Sequence, residues 1–389
     1  MLLTLTMVFI IGKNMMALTY INRYFRSFMT VMLCMALMGC VQLLEFDDNT
    51  DTVVGIGNFD VQSNDVITRA HAGYEGFNAA THLTSESVFF GAVQKVGEND
   101  FLFSRSSYVD GVWKSNMRVR KYEDDVNVLH NTFGLIANSS LLDEVSISMS
   151  MNGGVPTMTI QNLPVVCNSN ILVSSGAARA DATLNKYSYS AHMAKEQPEY
   201  HKMNFIMDNM MCGVGLSFKI DDRYSRLRSI TVKEVKIGKS GTVDGKTTAV
   251  STMTTATIGF GQSALSINYD TPAAGGLNTS VYNASDLSLK LSTTAEPVDS
   301  KCYIVPGVVT PNDLVMTVKY DVYDKKGNLI RPDQTATNKL TGALSDKSNN
   351  SLIKANNMIN LLVIVAPTYL YNLSDDDLDN PGITITNIN

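Results

Sequence analysis

The sequence predicts an all-β protein, two tandem β-sandwich domains set behind an apolar leader and an acidic segment. Three observations predict it. Short runs alternating apolar and polar residues recur from residue 77 to the end. Clusters of Gly, Asn, Asp, Ser and Thr separate them, and helical periodicity is weak. At 389 residues the chain is too long for one ordinary domain and comfortable for two.

The strands follow in order. Ser87-Val88-Phe89-Phe90-Gly91-Ala92-Val93, Met117–Tyr122 and Val145–Met151 all carry period-two patterning. Asn152-Gly153-Gly154 breaks the last into a hairpin that returns through Thr157–Ile160. Leu216–Ile220 and Ile230–Ile237 alternate around a turn at Asp221-Asp222-Arg223. Ala264–Tyr269, Leu287–Leu291, Leu314–Val322 and Leu361–Val365 complete the set. The Thr/Ser/Gly-rich stretches 238–263 and 270–285 read as connections, and a short helix is expected near Ser345–Asn357. A boundary after residue 212 gives domains at 70–212 and 213–389.

Ahead of these lies the leader, residues 1–39. Arg23 and Arg26 precede an apolar run, Phe28–Ala36, of about ten residues, the length of a signal-peptide core and short of the ~20 that cross a bilayer. It ends in Leu37-Met38-Gly39-Cys40, which resembles the lipobox of bacterial lipoproteins and makes Cys40 the expected lipid attachment site. Because residues 1–14 are apolar too, Met15 or Met16 is an alternative start.

Charge is unevenly spread. The net charge is −6. Residues 1–39 contribute +3, from Lys13, Arg23 and Arg26. Residues 40–69 contribute −5, from Glu45, Asp47, Asp48, Asp51, Asp60 and Asp65 against Arg69. The remainder is therefore at −4 and forms no basic stripe, which argues against nucleic acid as a partner. Within the acidic segment, Phe59-Asp60-Val61 alternates like a strand. Arg69 before Ala70 is either a tryptic-type processing point or a solvated linker residue.

Signals for chemistry are weak. The five histidines (71, 82, 130, 192, 201) lack metal-ligand spacing, and no nucleophile elbow, phosphate loop or dinucleotide fingerprint is present. No cofactor and no catalysis are expected. Gly259-Phe260-Gly261 reads as a turn. The carboxylates of Ser374–Gly382 lack the EF-hand pattern and read as a solvated turn. Met203, Met207, Met210 and Met211 read as core packing at a domain junction. Trp113 beside Tyr108 is a weak carbohydrate signal in a loop. Cys167, Cys212 and Cys302 are either three buried thiols or one disulfide and a spare.

Several stretches together resemble the fimbrillins, the lipoprotein pilins of Bacteroidetes. Thr68-Arg69-Ala70 followed by Tyr74-Glu75-Gly76-Phe77 resembles the family's prosegment and its arginine-directed processing site. Met203–Ile220 with Leu227–Val235 resembles the mid-chain strand pair, although Asn209 and Cys212 stand where many members have His and Ser. Tyr303–Pro306, Val318–Asp324 and Val365–Asp375 resemble the carboxy-terminal part.

The resemblance implies transthyretin-like, Greek-key sandwiches, export through the periplasm to the outer membrane and cell surface, and cleavage between Arg69 and Ala70. It further implies loss of a strand from within Val53–Val61 with the prosegment, residues 40–69. A donor strand from another pilin subunit then fills the gap, giving a filament that serves adhesion to a host or bacterial surface receptor. The donor candidate is the tail, with Ile383, Ile385 and Ile388; the alternative is a last strand within its own domain. A lipid-anchored surface protein that binds glycan or protein is the second reading.

Overall fold

Strands account for nearly all regular structure in the computed structural model, which describes residues 51–53, 55–61, 83–95, 97–115, 117–120, 129–177, 187–190, 202–274, 280–283, 288–367 and 375–389. The chain divides into two units, Met1–Asp51 and Thr52–Asn389, and the four large sheets belong to the second.

First come β1 (Asp51–Val53) and β2 (Gly55–Val61). Then follow β3 (Ser87–Lys95), β4 (Phe101–Val109), β5 (Val112–Lys114), β6 (Arg118–Arg120) and β7 (Leu129–Asn138). A short helix that no sequence periodicity announces, α1 (Ser139–Glu144), leads into the hairpin of β8 (Ser146–Asn152) and β9 (Val155–Pro164). As the sequence predicts, Gly153 and Gly154 make that turn, with φ of 57° and 81°, the left-handed pair a tight hairpin requires. β10 (Val166–Cys167), β11 (Leu172–Ala177), β12 (Ser188–Ser190), β13 (Lys202–Asn209) and β14 (Cys212–Ile220) carry the chain past its middle.

β15 (Ser229–Val243), β16 (Lys246–Val250), β17 (Thr252–Phe260) and β18 (Leu265–Tyr269) come next. The short β19 (Ala273–Ala274), β20 (Ser280–Asn283) and β21 (Leu289–Lys290) follow. The last are β22 (Glu296–Ile304), β23 (Leu314–Tyr323), β24 (Leu329–Lys339), β25 (Met358–Ala366), a four-residue helix α2 (Asp375–Leu378) and β26 (Gly382–Asn387).

Three expectations fail here. Residues 238–263 are mostly strand, because β-branched threonine fits the pleated surface as well as it fits a loop. In β17, Thr252, Thr254, Ala256 and Ile258 point inward, while Met253, Thr255 and Thr257 are half-buried on the other face. Gly259 and Phe260, expected in a turn, end that strand, and Phe260 is buried. The helix expected near Ser345–Asn357 is absent; turns and one isolated bridge, Ser345 to Ser351, stand there. The Asp346 carboxylate accepts from the backbone N–H groups of Ser348 and Asn350 and from the Asn350 amide, a local alternative to helix.

Two sandwiches result. In the first, the sheet ordered β2-β13-β11-β7-β3-β4-β5 packs on the sheet ordered β18-β17-β9-β8. Phe90, Phe133, Leu135 and Val173 of one meet Met158, Ile160, Ile258 and Phe260 of the other. In the second, β10-β22-β14-β25-β26 faces β16-β15-β23-β24. There Val214, Phe218, Leu361 and Val363 meet Val232, Val235, Val318 and Tyr320.

The chain is shared between the two sandwiches across residue 212. The pair β17–β18 follows β14 in sequence yet joins β9 of the first sandwich, with Ile258 opposite Met158. Conversely β10 pairs with β22 of the second, Val166 opposite Ile304.

Cys167, Cys212 and Cys302 are buried free thiols. Burial pushes the Cys167 thiol up to about 12 and the Cys212 thiol up to about 11. Met207, Met210 and Met211 are all buried, as core packing requires.

Candidate functional site

The edge strand β2 defines the candidate site. It runs parallel to β13, with Lys202 opposite Gly55, Phe205 opposite Phe59 and Met207 opposite Val61. One register irregularity interrupts the pairing between Met203 and Phe205. At the far end of the same sheet, β5 comes round to lie against β2. The sheet therefore curls, and β2 closes its seam.

Inside the curl is a separate small core. Phe89, Val93, Met117, Ile136, Leu172, Phe205 and Met207 are buried there, with Leu102, Tyr108 and Trp113 packed against them. The Phe89 and Phe205 rings lie 4.8 Å apart, and Trp113 meets Phe89 edge-on at 6.3 Å. Trp113 is thus in a strand and holds this core, in contrast to the loop position expected from sequence. A Cβ on Gly134 would lie 2.2 Å from the Phe89 ring, so glycine is what lets that ring cross the sheet. Gly134→Ala is expected to cost about 2–3 kcal/mol, read as a lowered urea midpoint. An unchanged midpoint would show that the ring turns aside freely.

The tail is placed as the last strand of its own sheet. β26 pairs antiparallel with β25, Ile383 opposite Val365 and Ile385 opposite Val363. Ile383 is buried, Ile385 packs partly on the second core and Ile388 is exposed. Its approach is fastened: the Tyr224 hydroxyl donates to the Leu378 carbonyl, and the Tyr320 hydroxyl to that of Pro381. Arg228 Nε donates to Asp379 Oδ1 at 2.8 Å, in a pair largely withdrawn from water. The acidic run is therefore not wholly a solvated turn, since Asp379 is buried.

Cys40, Arg69 and Ala70 lie outside the described residues. Among the described residues no group of His, Cys, Asp or Glu is arranged to hold a metal ion, and no helix is long and apolar enough to cross a membrane.

Two solved fimbrial proteins resemble the chain. A fimbrial protein of Bacteroides vulgatus aligns at 12% identity over 87% of this chain and 98% of its own, with a TM-score of 0.40. The fimbrial anchor protein Mfa2 of Porphyromonas gingivalis aligns at 10% identity over 85% and 93%, with a TM-score of 0.27. No family model and no curated protein matches the sequence.

Proposed function

We propose that this chain is a fimbrillin-type pilus subunit, exported as a lipoprotein through Cys40, cut after Arg69 and assembled by strand exchange at the cell surface. The observation that carries the reading is the position of β2. It precedes Arg69 in sequence, yet it is hydrogen-bonded into the main sheet of the first sandwich and closes the seam beside Phe205 and Met207. A cut after Arg69 severs β2 from the domain it completes. Once it leaves, β13 presents unpaired backbone groups beside an apolar core, an edge that readily takes a strand from another chain.

The tail supplies a candidate donor through Ile383, Ile385 and Ile388, after release from β25. Lipid at Cys40 is then a temporary tether, discarded with the prosegment. Adhesion to a surface receptor is the role such a filament serves.

Trypsin-like treatment of the full chain tests this. The expected product begins at Ala70 and forms SDS-resistant ladders, and Arg69→Ala blocks both. A clean cut that leaves only monomer overturns the proposal.

A further inference from the structure

A second surface feature lies at the other sandwich, away from the seam. A cleft of about 470 Å³ is lined by Arg228, Lys290, Lys325 and Lys326, with the buried Ile220 and Leu291 at its base. Ser225, Ser229, Ser292 and Thr293 also line it. Four cationic residues thus line one cleft in a chain whose net charge is −6.

The one acid in the lining, Asp324, offsets a single charge of the four. Asp324 is occupied by its own turn, accepting from the N–H groups of Lys326 and Asn328 and from the Asn328 amide. Those bonds hold its carboxyl below the usual range. Lys325 reaches across to donate to the Ser225 carbonyl, which fixes one wall. Arg228 is shared with Asp379, leaving the lysines as the main source of positive potential.

We infer that this cleft binds an acidic saccharide, one bearing carboxylate or sulfate groups. The volume suits one or two sugar rings. Lysines meet the anionic groups and the lining serines and threonine meet sugar hydroxyls. The aliphatic lysine stems, over the Ile220–Leu291 floor, meet the apolar ring face. The site does not depend on strand exchange.

Calorimetry on the full chain at physiological ionic strength tests it, with a heparin-derived tetrasaccharide and a tetragalacturonate as probes. A neutral maltotetraose and a short polyglutamate peptide are the comparison arms. Both acidic saccharides are expected to bind, at least roughly tenfold more tightly than either comparison. Lys290→Gln with Lys326→Gln should weaken them roughly tenfold at an unchanged melting temperature, while Lys347→Gln leaves binding intact. No binding of the acidic saccharides, equal binding of the neutral one or of the peptide, or an unaffected double variant overturns the inference.

Discussion

A chain beginning at Ala70 will melt roughly 10 °C below the full chain and will self-associate. Without β2, the edge of β13 is open and the cover beside Phe205 and Met207 is lost. Full exposure of such side chains costs about 1.5–3 kcal/mol each. Partial exposure of two, with some unpaired backbone, amounts to about 4 kcal/mol. A peptide with the sequence of residues 55–61, added in excess, should restore the melting temperature. Calorimetry with light scattering reads both effects, and a monomer that melts with the full chain would show that β2 contributes nothing to the fold.

The second large effect is at the tail. Asp379→Ala leaves the Arg228 guanidinium without its carboxylate in a site where the side chain is only 17% exposed. The expected loss is about 3 kcal/mol in urea unfolding, since an uncompensated buried charge costs more than the pair returns. Replacing both members by apolar residues, Arg228→Met with Asp379→Leu, should recover most of it. A loss no larger in Asp379→Ala than in an exposed control such as Asp143→Ala would rule the pair out as a fastening.

Much of the fold is legible because alternation reports burial directly. Ile230–Ile237 reads as a half-buried strand and is one, with Ile230, Val232, Val235 and Ile237 inward. Segments rich in threonine mislead because their residues serve loops and sheets alike, so β17 hides in an apparent connection. The stretch at 345–357 fails for the opposite reason. Side chains such as Asp346 take over backbone hydrogen bonds that helical periodicity assumes are available. Pairing across distance is not legible at all. Nothing local announces that Arg228 meets Asp379, 151 residues later. For the site, the strand at Phe59–Val61 is readable, whereas its parallel seat on β13 and the curl that brings β5 to it need the folded chain.

The exchange of strands between the two sandwiches bears on mechanics. A pull applied between β3 and β26 loads ladders that cross from one sandwich to the other, the short β10 on β22 and the longer β17 on β9. Tension is then expected to reach both cores, so that rupture involves ladders of each. Under load, such a body is expected to act as one link rather than two.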